Sequence, residues 1–420
     1  MFVSADGCGL FGGCYDRSVS SYLLSGLKVI DCATVIAAPA TATMLADFGA
    51  DVIKVEQPEG GDMLRTLSGI DTTPDADPDW FWELHGRNKR GLVLDMKSTE
   101  GREVMHRLIG DADVFITNHP YPVRETLGLT YDVVREINPT MIYGSLTAYG
   151  EEGPERDRKG FDQLAYWARS GLMDLMREPG TVPTQGLPGM GDHPTAVSLY
   201  AGIVTALLHR ERTGEGSFVH TSLLANGLWS AAGIAQGVMA GADMAVYRER
   251  NRISSPMLRL YKTADGRWLQ FNMIRSDEML TQLLIALGAV ELLGDPRFPD
   301  IETIFGPARE PFGDEIQQVI GTKTATEWLS ELTGHDLPVN LVATVEETAV
   351  DEQVRINAMA AEPGDGFGSP WMINHPVKVS GAPQVEPHRP PALSEHRREI
   401  LAELGYSSTE IDALAEQGVI

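Results

Sequence analysis

Apolar segments of strand length alternate with helix-length amphipathic segments from residue 27 to residue 150. LKVIDC (27–32) predicts a buried strand, ATATMLADFG (40–49) a helix opened by Pro39, and DVIKVE (51–56) a second strand. Such a unit implies parallel strands joined by a right-handed crossover. The pattern therefore predicts a parallel sheet from its first segment onward.

The alternation continues beyond this first unit. Further strands are predicted at 90–96, 113–118 and 141–150, with helices at 99–110 and about 123–137. This order is typical of an open, doubly wound α/β sheet, in which ligands bind beyond the carboxyl ends of the strands.

After residue 150 the regular alternation of predicted strands and helices ends. We expect a helix over 162–176, a Gly/Pro-rich loop over 180–191, a long helix over 194–212, and then the strand SFVHTSLL followed by an apolar helix. A hairpin turning at Asp265-Gly266 is predicted within 258–273, and two helices, 396–405 and 408–418, end the chain. A length of 420 residues favours two domains, or one large domain with an insertion.

Composition restricts the possible partners. The formal net charge of −25 argues against a general binder of nucleic acid or of anionic membranes. No apolar run approaches the roughly 18 residues of a membrane span, and no signal peptide is evident. The three cysteines lie near the start without a CxxC spacing, which fits a reducing cytoplasm. The ten histidines show no metal-ligand spacing, so we expect no metal site.

Two dinucleotide-binding signals are weak. GCGLFG (7–12) matches GxGxxG, but only a short apolar pair precedes it, so a flexible leader over residues 1–23 is the better interpretation. The loop after the first strand, TVIAAP (34–39), contains no glycine, and a pyrophosphate could not approach it closely.

The stretch GLPGMGDHP (186–194) allows two interpretations. Asp192 could cap the helix that follows, since carboxylates at this boundary accept hydrogen bonds from first-turn N–H groups. Alternatively, Asp192 could be a reactive carboxylate on a backbone that a ligand can approach closely. This stretch by itself leaves both interpretations open.

The ordered motifs resemble class III CoA-transferases, the family of formyl-CoA, carnitine, bile-acid and aryl-lactate CoA-transferases. The resemblance rests on segments 26–65, 88–118, 159–171 and 189–216, and extends from about residue 24 to residue 420. It implies a Rossmann-like large domain (24–225, then 346–420), an inserted linker helix and smaller α+β domain (226–345), and two subunits interlocked as a homodimer.

The resemblance also implies an activity. Asp192 matches the family's nucleophile, which transfers coenzyme A from an acyl-CoA to a free carboxylic acid through an aspartyl anhydride and an aspartyl-CoA thioester. Acyl-CoA is then a substrate, and no tightly bound cofactor is expected. Positions that match or neighbour CoA contacts of the family are Ile36, Ala37, Gln57, Leu94, Lys97, Asn118, His119, Arg124, Lys159 and Asp162.

The chain departs from the family pattern in three places. Some members carry a basic residue where Gln57 stands, and an arginine near position 126 is replaced here by Arg124. The glycine-rich lid of formyl-CoA transferase has no visible counterpart, which disfavours an oxalate-type substrate. Segment 161–171 looks more like the aryl-lactate, bile-acid and carnitine branches, and therefore favours a bulky or aromatic acid.

Two alternatives are weighed against this interpretation. Alpha-methylacyl-CoA racemases share the family's fold and need opposed acid and base groups, but Phe161 stands where their Gly-His-Asp motif has its histidine, and phenylalanine cannot transfer a proton. His193, next to Asp192, is a poor substitute because neighbouring helical residues point apart. A non-catalytic CoA-binding protein is disfavoured by the intact loop around Asp192.

Overall fold

The alternating segments form one six-stranded sheet in which every pair of neighbours is parallel, in the order β3-β2-β1-β4-β5-β6. The computed structural model describes residues 22–178, 180–251, 255–272, 274, 276–335 and 337–420, so GCGLFG, Cys8 and Cys14 lie outside the described residues. The strands are β1 (Lys28–Asp31), β2 (Asp51–Glu56), β3 (Lys89–Val93), β4 (Val114–Thr117), β5 (Ile142–Thr147) and β6 (Ser217–Ser222).

Helices join these strands and cover both faces of the sheet. They are α1 (Ala37–Asp47), α2 (Trp80–Gly86), α3 (Thr99–Asp111), α4 (Tyr121–Leu127), α5 (Tyr131–Ile137), α6 (Leu172–Leu175), α7 (Asp192–Thr213) and α8 (Leu223–Ser230). Met63–Gly69 forms a 3₁₀ segment and Gln163–Ala168 a π-helical segment. The predicted α/β class and parallel sheet are confirmed.

Side-chain alternation along the strands divides the core into two layers. Val29 and Val114 face α1 and α7, whereas Ile30 and Phe115 face α3 and the C-terminal helices. Because successive side chains of a strand point to opposite faces, a sheet covered on both faces needs apolar residues in both phases. This is why the strands read as continuous apolar runs.

Some helices differ from their predicted extents. The helix expected over 123–137 is two helices, because Gly128 takes a left-handed conformation (φ +70°) that ends α4. The helix expected over 162–176 is the π-helical segment followed by the short α6. The long helix α7 begins at Asp192, two residues before its predicted start.

A second unit consists of Met176–Thr184 and Ala232–Ala358. Its three-stranded antiparallel sheet has the order β7 (Leu260–Lys262), β8 (Trp268–Phe271), β9 (Val339–Leu341), with the β7–β8 hairpin turning through the expected Asp265-Gly266. Its helices are α9 (Ala232–Met239), α10 (Met244–Asn251), α11 (Asp277–Ala286), α12 (Ile301–Phe305), α13 (Arg309–Ile320), α14 (Ala325–Leu332), α15 (Val345–Val350) and α16 (Glu352–Ile356), with 3₁₀ segments at Val290–Gly294 and Thr333–His335.

The chain then returns to the first unit, which comprises the described residues up to Leu175, Gln185–Ala231 and Met359–Ile420. The returning elements are β10 (Ala360–Ala361), β11 (Met372–Ile373), α17 (Arg397–Glu403) and α18 (Ser408–Glu416). These unit bounds differ from the expected 226–345, and the inserted domain itself stays a prediction. No described helix has the length and apolar character needed to cross a membrane.

Candidate active site

All the site residues expected from the sequence follow the carboxyl ends of the parallel strands. In chain order they are Ile36 and Ala37 after β1, Gln57 after β2, Leu94 and Lys97 after β3, Asn118, His119 and Arg124 after β4, and Lys159, Asp162 and Asp192 after β5. Carboxyl ends of parallel strands share one edge of a sheet, and strand order reverses between β1 and β4. The topology therefore assembles the candidates along one edge.

Two glycines of the loop before α7 lie against aromatic rings. A Cβ added at Gly186 would lie 2.1 Å from Cε2 of Trp167, and one at Gly191 would lie 2.5 Å from Cγ of Tyr166. Both contacts are far inside van der Waals distance, so only glycine permits this approach. The glycines thus allow the loop to seat the start of α7 against Tyr166 and Trp167.

Asp192 is the first residue of α7 and does not cap it. The N-cap residue is Gly191, which has no side chain to cap the helix, and the carboxylate of Asp192 forms no hydrogen bond with any described residue. The capping interpretation is therefore wrong. The backbone N–H of Asp192 donates to the carbonyl of Gly189 at 3.1 Å, which fixes the residue while leaving its carboxylate uncommitted.

Burial is the main cause that raises the pKa of Asp192 to about 7, and repulsion from Asp162 adds to it. Asp162 is itself buried, and its Oδ2 accepts the Gly191 N–H at 3.4 Å. The pKa of Asp162 is also raised by burial. Two carboxyl groups near one helix start thus make the charged form of Asp192 costly, which increases its basicity.

The loop after β1 approaches the same glycine-rich loop. A Cβ added at Gly189 would lie 3.1 Å from Cδ1 of Ile36, which is itself buried. Ile36 precedes α1, and Ala37 is the first residue of that helix. The predicted contacts after β1 and the Asp192 loop are therefore neighbours in space.

Val35, before Ile36, has a left-handed backbone (φ +66°) that is unfavourable for a β-branched residue. Oδ1 of Asp62 accepts the Val35 N–H at 2.9 Å and the Leu64 N–H at 3.0 Å. Nζ of Lys54 lies 2.7 Å from Oδ2 of Asp62. A buried ion pair therefore maintains the conformation of the loop after β1.

This ion pair belongs to a larger buried network that the sequence analysis missed. Oδ2 of Asp31 pairs with Nζ of Lys89 at 2.8 Å, and its Oδ1 lies 3.8 Å from Nζ of Lys54. All four side chains are almost inaccessible to solvent. The available signal was Lys54 in the middle of the apolar strand DVIKVE, because lysine is rarely buried unless it is paired.

Asn118 joins the loops that follow β1 and β4. Its Oδ1 accepts the Thr34 N–H at 2.9 Å, and its Nδ2 donates to the Thr34 carbonyl at 2.7 Å. The neighbouring His119 is half-buried, and burial, then the nearby Lys54 ammonium, lowers its pKa to about 4. Asn118 therefore supports the edge through backbone contacts, and His119 is neutral at pH 7.

The remaining candidates divide by exposure. Gln57, Lys97 and Lys159 are exposed, and the Gln57 amide donates to the carbonyls of Glu59 and Gly61, both at 3.2 Å. Leu94 and Arg124 are buried, and Nη2 of Arg124 pairs with a Glu151 carboxylate oxygen at 2.8 Å. The two exposed lysines are thus accessible to an anionic ligand, whereas Arg124 is committed to Glu151.

A histidine pair lies beside Asp192 and was not expected from the sequence. Nε2 of His193 is 3.1 Å from Nε2 of His85, and the two rings stack with centroids 5.3 Å apart. Nδ1 of His85 donates to the Phe81 carbonyl at 2.9 Å, and burial lowers the pKa of His85 to about 3. Neutral His85 then accepts at Nε2, so His193 donates from its Nε2.

Within the described part of the chain, no cluster of three His, Cys, Asp or Glu side chains could hold a metal ion.

Comparison with known proteins identifies the family. Residues 24–397 match the model of CoA-transferase family III. The chain is 32% identical over 404 residues to (R)-2-hydroxy-4-methylpentanoate CoA-transferase of Clostridioides difficile, covering 95% of this chain and 99% of that one. It is 33% identical over 396 residues to cinnamoyl-CoA:phenyllactate CoA-transferase of Clostridium sporogenes, covering 93% and 96%.

A solved structure agrees with these matches. The crystal structure of a CaiB/BaiF family protein from Brucella suis superimposes with a TM-score of 0.79 at 28% identity, covering 92% of this chain and 100% of that one. The chain therefore belongs to CoA-transferase family III. It is a CoA-transferase, and acyl-CoA is its substrate.

Proposed function

We propose that this enzyme transfers coenzyme A from an acyl-CoA to a free carboxylic acid with Asp192 as the nucleophile. The Asp192 carboxylate attacks the thioester carbonyl carbon, the C–S bond breaks, and CoA thiolate leaves a mixed aspartyl anhydride. The thiolate attacks the Asp192 carbonyl carbon of the anhydride, releasing the donor acid and forming an aspartyl-CoA thioester. The acceptor carboxylate repeats the two steps in reverse order, which regenerates free Asp192.

The environment of Asp192 is the observation that carries this proposal. A carboxylate is a weak nucleophile, and one whose pKa is raised to about 7 is more basic, and so more reactive, than a solvated one. The Asp192 carboxylate also forms no hydrogen bond with a described residue that would have to break before attack. Proximity of the held substrate supplies much of the remaining rate enhancement.

The strand edge suits the coenzyme. Lys97 and Lys159 are exposed and can pair with the phosphates of CoA. Ile36 and Ala37 lie beside the Asp192 loop and can contact the thioester region. Gln57, Leu94, Asn118, His119, Arg124 and Asp162 complete the proposed contact set. Of these, Leu94, Arg124 and Asp162 are buried and act by shaping the edge.

We also propose an interlocked homodimer, because the resemblance to class III CoA-transferases implies one. The adjacent residues Leu228 and Trp229 on α8 are 39% and 80% exposed, so this helix presents contiguous apolar surface that a second subunit could cover. The cysteine usage favours a cytoplasmic location.

Other relatives of equal identity are named for the dicarboxylic acids malate, succinate and glutarate, so we choose between the two groups by segment 161–171, which favours the acids of the first two relatives, (R)-2-hydroxy-4-methylpentanoate and phenyllactate. Both acids carry a branched or aromatic hydrocarbon group. The likeness of this segment to the aryl-lactate branch therefore favours a bulky apolar acid here.

Intact-protein mass spectrometry with hydroxylamine trapping tests the nucleophile. A panel of acyl-CoAs is incubated with wild type, with Asp192→Asn and with the control Asp132→Asn. The control alters an exposed aspartate in the first turn of α5. We expect a CoA or hydroxamate adduct on wild type and Asp132→Asn, and none on Asp192→Asn. An adduct that persists in Asp192→Asn would overturn the assignment. Exchange of an α-proton with deuterated water, without any adduct, would support the racemase alternative instead.

A further inference from the structure

A largely apolar cavity of about 300 Å³ lies between α1, α2, α7 and the returning segment 373–376, all within the first unit. Its walls include Ala40, Thr43 and Met44 from α1 and Ala196 and Val197 from α7. The two helices are joined at this level by the Thr41 hydroxyl, which donates to the Ala196 carbonyl at 3.0 Å. The cavity is thus part of the helix packing beside the sheet edge.

Helix geometry places this cavity next to the proposed nucleophile. Ala196 follows Asp192 by four residues, so the two side chains share one face of α7 with Cβ atoms roughly 5–6 Å apart. His193, also on the first turn, lines the cavity directly. Asp192 itself is not among the lining residues, so the cavity begins about one helical turn from the nucleophile, a distance that the hydrocarbon group of an acid held at Asp192 spans.

The charged group in the cavity wall is already neutralised. Among the described lining residues, Arg87 is the permanently cationic one, and its Nε and Nη2 donate to the two oxygens of Asp47 at 3.2 and 2.7 Å. Its Nη1 donates to the Leu84 carbonyl. Burial lowers the pKa of His85 to about 3 and of His375 to about 4, so both are neutral at pH 7. Desolvation also lowers the pKa of the third lining histidine, His193, whose Nε2 is already engaged by His85. No described lining cation is left to receive a second carboxylate.

We propose that this cavity binds the uncharged hydrocarbon group of the acyl donor or acceptor, so that the enzyme selects monocarboxylic acids with a branched or aromatic side chain over dicarboxylic acids. The proposal rests on the proposed function of Asp192. A dry cavity of about 150 Å³ holds benzene, so twice that volume suits a phenylpropyl or branched C5–C6 group. A second carboxylate would lose its hydration without gaining a counter-ion.

The expected selectivity follows from burial of apolar groups. Each methylene that enters the cavity should raise kcat/KM about fourfold until the space is filled, because a buried CH₂ is worth about 0.8 kcal/mol. The series propanoate, butanoate, 4-methylpentanoate and 3-phenylpropanoate should therefore show rising kcat/KM. Butanedioate should fall below butanoate.

Two matched substitutions on α7 test the site. Val197 lines the cavity, whereas Val204, seven residues further along the same face of the helix, is exposed and is not among the lining residues. Val197→Phe should lower kcat/KM for 3-phenylpropanoate at least tenfold and change that for propanoate less than twofold. Val204→Phe should leave both values unchanged, and Val197→Ala should favour the larger acid.

Direct binding separates failure of this proposal from failure of the proposed function. Isothermal titration of 3-phenylpropanoate should give a dissociation constant that rises in Val197→Phe and not in Val204→Phe, whether or not acyl transfer is detected. Equal acid preference and equal binding in the two variants would overturn the cavity assignment while leaving Asp192 untouched. Absence of binding by every acid, as expected if a second copy of the chain fills the cavity, would overturn it as well.

Discussion

The raised pKa of Asp192 predicts a pH dependence for the first chemical step. Attack on the thioester requires the carboxylate, so the rate of adduct formation should rise with pH and level off above a midpoint near 7. One pH unit below the midpoint only about a tenth of the enzyme is ionised, so the rate at pH 6 should be about one tenth of its plateau. An aspartate with its ordinary pKa would show no change in this range.

Asp162→Asn separates the two causes of the shift. Burial is the larger cause and remains in the variant, whereas the repulsion from Asp162 disappears. We therefore expect the midpoint to fall below 7 while staying above the ordinary value of 3.8. The substituted amide can still accept the Gly191 N–H, so the loop keeps its anchor.

The assay is a single-turnover measurement. Enzyme in excess is mixed rapidly with the acyl-CoA that labels Asp192, quenched at intervals, and analysed for adduct between pH 5 and pH 9 at constant ionic strength. Asp132→Asn serves as the control and should retain the wild-type midpoint. A flat profile between pH 5 and pH 8, or an unchanged midpoint in Asp162→Asn, would refute the reasoning.

Two further outcomes are expected. The native pKa of Asp192 is about 7, and its ordinary value is 3.8. Between these pH values the carboxyl group keeps its proton in the native state and has lost it in the unfolded state. This group therefore makes the free energy of unfolding fall as the pH rises to about 7. Asp192→Asn, without this loss, should be more stable than wild type at pH 8, by at most about 4 kcal/mol, and about equal at pH 4, as checked by denaturant titration. Asn118→Ala removes both hydrogen bonds to Thr34 and should raise KM for acyl-CoA more than it lowers kcat. Asn357→Ala, an exposed change after α16, should alter neither value in the same steady-state assay.

Local sequence patterns predicted most of the sheet because they depend on short-range physics. DVIKVE is strand β2 over the predicted residues, and the first strand and the C-terminal helix pair formed where expected. Helix ends were less predictable. Gly128 interrupted one predicted helix, and contacts of the glycine-rich loop with Tyr166 and Trp167 set the start of α7 at Asp192.

The candidate site divides in the same way. Motif resemblance in the sequence identified Asp192 and the residues after each strand, and their roles stay predictions. The capping interpretation failed because the N-cap position is defined by backbone geometry that the sequence does not reveal. The partners of Lys54 and His85 were also out of reach, since Asp62 and His193 approach them only after the chain folds.

By itself, the sequence determined the α/β class, the parallel strands and membership of the CoA-transferases, because hydrophobic periodicity and the order of motifs are properties of the sequence alone. Tertiary structure decided the charge state of Asp192, the commitment of Arg87 to Asp47 and the cavity beside Ala196. These properties arise from desolvation and from contacts between residues far apart in sequence. Burial and distance exist only once the chain has folded.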